Sequence, residues 1–213
     1  VGLKNFFDTQ LVRDRFESTS VTSWGLNEIE SLASRKEDDI SQLGFVIWHQ
    51  IVTRNLFPVD PMEMQDDFDK PLSFRVIEKK VGKELLRDIW AVVVDVDDER
   101  LDDTACMELI VALIYPNDMV LLDVNFQDPY KPIPKSKRRF DHQTHEGLKM
   151  LDGLMVALES KAYELECNNI LLTAASGDLV PLFQNYGFDL DGSQLSKVAL
   201  EAGLGIPMVK ELG

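Results

Sequence analysis

Cysteine is nearly absent. Only Cys106 and Cys167 occur, both in apolar surroundings. That excludes a disulfide framework and reads as two reduced, buried thiols of a cytoplasmic protein. Positive charge is also scarce: 22 Lys and Arg stand against 37 Asp and Glu, for a net charge of −15. So acidic a chain lacks the basic face that a phosphate backbone needs, so nucleic acid is not expected as a partner. The excess charge has two readings: a solubilising surface, or long-range attraction of a cationic substrate or protein partner. No run of about 18 apolar residues is present, so neither a transmembrane helix nor a membrane partner is expected. The first eight residues lack the apolar core of a signal peptide. There are three histidines. His142 and His145 stand close to Asp141 and Glu146, but the His-Glu-x-x-His order and a third ligand are missing, so no metal is expected.

What is present suffices for one large domain, or for a domain with an extension, without staples: 213 residues, 45% of them hydrophobic. Leu3, Phe6, Phe7, Leu11, Val12 and Phe16 recur at helical spacing within residues 1–20. A second helix is expected over 24–42, with Leu26, Ile29, Leu32 and Ile40 on one face. Its other side carries Glu28, Glu30, Arg35, Lys36, Glu37, Asp38 and Asp39, a solvated surface. A third, more apolar helix is expected over 43–57, with His49 as a satisfied core histidine. Residues 58–71 are a break, bracketed by prolines around Asp66, Asp67 and Asp69, and read as a loop or a linker. Calcium is disfavoured there because no Gly-containing loop with regular oxygen spacing appears. Residues 1–70 thus read as a helical part packed on a sheet, and residues 71–213 as the domain that carries the sheet.

Strands are expected over 74–78, 89–96, 106–115 and 119–127. The short turn at Pro116, Asn117 and Asp118 makes the last two a hairpin, so the segment reads as an antiparallel meander. A long helix follows over 144–165, then a buried strand over 169–174. Ser176, Gly177 and Asp178 supply turn and cap chemistry. Leu179, Leu182, Phe183 and Tyr186 repeat on one helical face, Gly187 stops that helix, and a strand over 208–212 closes the chain. The fold class is α+β: a mixed, mostly antiparallel sheet flanked by helices, with a helical N-terminal extension.

The run Leu182-Phe183-Gln184-Asn185-Tyr186-Gly187-Phe188, after a strand ending in Leu172-Thr173, resembles the end of a GNAT-type N-acetyltransferase domain, an acyl-CoA N-acyltransferase. There a similar strand leads into Leu-Tyr-x-x-x-Gly-Phe. The resemblance covers about residues 118–212. It implies acetyl-CoA as co-substrate and an amine acceptor; the acidic surface favours a basic small molecule or a basic protein. The strand before the long helix would offer backbone groups to the pantetheine arm, which points to Val124 and Phe126. The pyrophosphate would lie at the following helix start, against Thr144, His145, Gly147, Leu148 and Lys149, with Ser176 and Phe183 further along. The family's Arg/Gln-x-x-Gly-x-Gly/Ala pattern is degenerate here: Lys149 stands where a second small residue is usual. Arg138 and Arg139, in a basic cluster with Lys131, Lys135 and Lys137, could hold the phosphates; a solvated loop and a patch for an acidic partner are the other readings. The family's acid tyrosine is replaced by Phe183, leaving Tyr186 as a poor substitute that reads better as core. Glu108 and Asp123 are candidate bases if buried, or else polar residues of an alternating strand. A second hypothesis is a catalytically silent GNAT-fold component of a larger assembly, such as a viral or other multi-protein particle, docked through its N-terminal helices.

Overall fold

The computed structural model describes residues 2–60, 72–140 and 143–213. Eight strands run in the order β1-β2-β3-β4-β6-β8-β7, with β5 paired to β4 off that path. β1 (Thr19–Gly25), β2 (Leu86–Val96), β3 (Ala105–Ile114) and β4 (Asp118–Pro132) form the antiparallel meander. β6 (Asn169–Ala174) then joins β4 in parallel, and β8 (Ile206–Glu211) is antiparallel to both β6 and the short β7 (Asp189–Leu190). The single parallel pairing follows from the crossover helix α5 (Leu151–Glu164) between β4 and β6.

The pleat divides the core. Trp90, Val92, Leu109, Val111, Leu121, Ile170 and Leu172 face one side. There they pack against Leu154, Met155 and Leu158 of α5, against Val180 and Phe183 of α6 (Val180–Gln184), and against Leu3, Phe7 and Val12 of the N-terminal arm with its short α1 (Gln10–Arg13). Ile89, Ala91, Ile110, Ala112, Val120 and Leu171 face the other side, under α2 (Ile29–Arg35), α3 (Glu37–Thr53) and α4 (Ser73–Val81). α3 and α4 cross closely at Gly44, where a Cβ would stand 1.9 Å from the Ser73 hydroxyl oxygen. Helix α7 (Gln194–Ala202) completes the set; Ser193 caps it, accepting from the Ser196 amide. No helix of the described residues is long and apolar enough to cross a membrane.

Several local expectations change. Residues 1–20 hold one short helix and run into β1, an edge strand with only Trp24 buried. The helices expected over 24–42 and 43–57 divide instead at Lys36, whose non-helical backbone (φ −128°, ψ 54°) separates α2 from α3. Residues 74–78 are helical, within α4: Phe74 and Ile77 are buried three residues apart, a helical rather than an alternating spacing. The long helix begins at Leu151, not near Thr144, because residues 145–147 pair as β5 with the extended β4. Lys149, with a left-handed backbone (φ 56°), then turns the chain into α5. Leu182 is exposed, and Ser176 makes no side-chain cap bond. The acidic run at residues 66–69 lies outside the described residues, as do Asp141 and His142.

Candidate active site

β4 and β6 pair only over Asp118–Leu121 and Asn169–Leu172. The closed end is pinned by the fully buried Asp118, which accepts from the Arg54 guanidinium and, at 2.8 Å, from the Asn169 side-chain amide. Beyond Leu121 the two strands separate. On that edge β4 next meets a strand at Gln127, which pairs with Gly147 of β5, so residues 122–125 have no strand partner there. The Phe126 carbonyl accepts from the Leu148 amide at 3.1 Å, bringing the chain into α5 beside the end of this free edge.

The opening is a groove of about 620 Å³. Leu122, Asp123 and Val124 line it from β4, Leu172 and Thr173 from β6, Asp39, Gln42, Phe45 and Val46 from α3, and Phe183 from α6. It therefore reaches from one face of the sheet to the other. A bulge in β4 sets its polar wall. Register shifts between Ile110 opposite Asp123 and Val111 opposite Leu121, so Leu122 and Asp123 both turn to the α3 side.

On that side Asp123 joins Glu108, Lys36 and Asp39. The Lys36 ammonium bonds Glu108 and stands 3.9 Å from Asp123. Burial works against its charge, but the Glu108 hydrogen bond and the charges of Glu108, Asp123 and Asp39 outweigh that and hold it above the usual lysine range. Burial raises the Asp123 carboxyl, with Glu108 adding to the effect and Lys36 and the Val124 amide opposing it. Asp39 is pushed up to about 6, first by burial and then by the negative charge of Asp123, against the pull of Lys36. Sequence reasoning missed Asp39 because Glu37 and Asp38 precede it and the trio looks like a solvated helix start. Its one signal is position: in the first turn of α3 it directly precedes Ile40, the first buried residue of that helix's apolar face.

The remaining candidates spread out. Val124 is at the groove and Phe126 at the end of the free edge. Tyr186 is not brought to the groove. Its hydroxyl donates to Asp152, that bond and burial raise it to about 12, and it lines a separate hollow with Lys210 and Glu159. Phe183 is at the groove wall, edge-on to Phe188. Thr144, His145 and Gly147 lie along β5 or just before it, while Leu148 and Lys149 form the turn into α5, whose first residues are Leu151, Asp152 and Gly153. Arg138 bonds the Ile133 carbonyl at 3.0 Å, Arg139 lies over the Phe140 ring, and Lys131 pairs with Asp128 at 3.1 Å. The Ser176 hydroxyl is buried with no hydrogen-bond partner among the described residues. His49 is a core histidine, 2.6 Å from Asp191 and stacked on Phe45. Burial raises both thiols, Cys106 to about 12 and Cys167 to about 11, which leaves them unreactive. Among the described residues no group of His, Cys, Asp or Glu side chains is placed to hold a metal ion.

No protein-family model matches the chain, and no curated protein does. Solved structures give loose likenesses. A protein from Klebsiella pneumoniae described as an acyl-CoA N-acyltransferase is 15% identical, over 92% of this chain and 98% of that one, with a TM-score of 0.39. An acetyltransferase of the GNAT family from Staphylococcus aureus is 12% identical, over 92% of this chain and 100% of that one, with a TM-score of 0.35. Nourseothricin acetyltransferase is 15% identical, over 59% of this chain and 66% of that one, with a TM-score of 0.33. These likenesses assign the chain no substrate; its own strand order, with a meander, a crossover helix and a splayed β4–β6 pair, is the one that the GNAT resemblance implies.

Proposed function

We propose that the chain is a cytoplasmic acyltransferase of the GNAT type, moving an acetyl group from acetyl-CoA to an amine of a basic small molecule or protein. The observation that carries this reading is the separation of β4 from β6. It leaves residues 122–125 with backbone groups open to a groove of about 620 Å³. An unpaired strand edge is a ready partner for an extended, amide-bearing chain, which is what a pantetheine arm presents. Leu122 and Val124 would line that arm. The turn at Leu148 and Lys149 and the first amides of α5 would receive the pyrophosphate, with Arg138, Arg139 and neighbouring lysines as the basic reserve. Acetyl-CoA supplies the activated thioester. The chain's own part is to align it, exclude water, and present carboxylates on the α3 side, where a cationic acceptor is drawn in.

Calorimetric titration with acetyl-CoA tests this. Saturable binding is expected below about 1 mM, the range in which enzymes meet their substrates. Folded protein that shows no heat of binding at millimolar ligand ends the reading. That result would favour the silent, assembly-type component, for which Phe183, a side chain with no proton to donate, is the specific observation.

A further inference from the structure

Three carboxylates stand together on the α3 side of the groove, and their surroundings differ. Glu108 is engaged by the Lys36 ammonium and does not line the groove. Asp123 lines it but faces the same ammonium at 3.9 Å and accepts from the Val124 amide. Asp39 lines it from the first turn of α3, and its carboxylate accepts no hydrogen bond among the described residues. A part-buried carboxylate with no partner, turned into a cavity, is costly for a fold to keep. Building on the acyl-transfer reading, we infer that Asp39 is the catalytic residue that takes the proton from the acceptor amine, while Lys36 holds Glu108 and Asp123 in place as positioning residues.

The step balances without any further reagent. The acceptor enters as an ammonium and gives one proton to the Asp39 carboxylate. The freed nitrogen lone pair forms a C–N bond to the thioester carbonyl carbon. The tetrahedral adduct collapses, the C–S bond breaks, and the thiolate leaves. The proton still in excess on nitrogen passes to that sulfur, giving the free thiol and the amide, and Asp39 releases its proton to solvent. Phe183, at the opposite wall, contributes no proton, so the nitrogen itself is the source of the one the thiolate receives. The charged groups that face Asp39 are Lys36, Asp38, Glu108 and Asp123. Burial first, and then the three negative neighbours against Lys36, keep a proton on Asp39 at mildly acid pH and let it go near neutrality, the range a general base needs.

The test uses the full chain with acetyl-CoA as donor and ethylenediamine as the acceptor probe, following thiol release against pH. Asp39→Asn should bind acetyl-CoA within about twofold of wild type and release thiol about 100-fold more slowly, a typical loss for one proton-transferring group. In wild type, kcat/KM should rise with pH through an ionisation near 6 that is missing in the variant. Glu37→Gln, an exposed neighbour that is not among the groups facing Asp39, should match wild type in both measurements. The inference is overturned if Asp39→Asn turns over at the wild-type rate, if the ionisation survives in it, or if wild type binds acetyl-CoA yet releases no thiol above the rate in solution. Absence of acetyl-CoA binding by wild type is a separate result, and it removes the acyl-transfer reading itself.

Discussion

Asp39→Asn should make the protein more stable at neutral pH, the reverse of what most substitutions do. The Asp39 carboxyl has a pKa near 6 in the fold, against 3.8 without it. At about 1.4 kcal/mol per tenfold, ionisation of a wholly buried group with this difference would cost about 3 kcal/mol. The side chain is part-exposed, and solvent screening takes roughly half of that. Its place in the first turn of α3 returns about 0.3–1 kcal/mol through the positive helix end, which the amide forgoes. The net gain is about 1 kcal/mol, or roughly 2–4 °C in Tm for a chain of this size. The sign depends on pH. Below about 4 both states hold the proton and the variant gains nothing. Between 4 and 6 the unfolded chain ionises first and the gain grows, and above 6 it is complete. Urea denaturation of both proteins from pH 3.5 to 8 reads this directly. A variant less stable than wild type at pH 7.5, or a gain that does not change with pH, refutes the reasoning.

Two further outcomes test the packing around the groove. Burial opposes the charge of Asp191, but the His49 hydrogen bond and those from Ser193 and Ser196 win and hold its carboxyl down to about 2. Asp191→Asn should therefore lose roughly 2 kcal/mol at pH 7. The loss should fade as pH falls from about 4 towards 2, where wild type also gives up its charge; an equal loss at pH 7 and at pH 2.5, by the same urea titration, would discount the His49–Asp191 pair. Gly44→Ala should cost roughly 1–3 kcal/mol by overpacking against Ser73, and Ser73→Gly in the same chain should recover much of it. A neutral Gly44→Ala, measured by thermal denaturation, would mean that α3 and α4 do not cross so closely.

Strong local patterns were readable in the sequence. β2 and β3 are apolar runs bounded by charge or Pro116, and Gly187 takes the left-handed backbone (φ 83°) that a helix stop requires. Weak or doubled patterns were not. β1 reads Thr-Ser-Val-Thr-Ser-Trp-Gly, an edge strand that buries only its tryptophan, so it carries almost no hydrophobic signal. The stretch Phe74-Arg75-Val76-Ile77-Glu78 fits either period over five residues, and only packing under α3 selects the helix. The start of α5 depends on a tertiary event, the pairing of His145–Gly147 with the far end of β4, which no local propensity announces. Glu108 and Asp123 were visible as acids on central strands. That they share one side with Asp39 depends on a single extra residue in β4 and on where α3 begins, and both are decided in three dimensions.

That extra residue puts β4 half a pleat out of step with itself. Up to Leu121 odd-numbered side chains look toward α5; from Asp123 onward odd-numbered ones look toward α3. Were Leu122 drawn into a regular ladder opposite Ile110, Asp123 would fall opposite Leu109 and turn through the plane of the sheet, away from Lys36 and Asp39, with Val124 facing α3 in its stead. A slip of one residue past Leu121, with no charged group altered, would thus uncouple the carboxylates from the cavity, so the bulge is as much a part of the candidate site as the side chains it places.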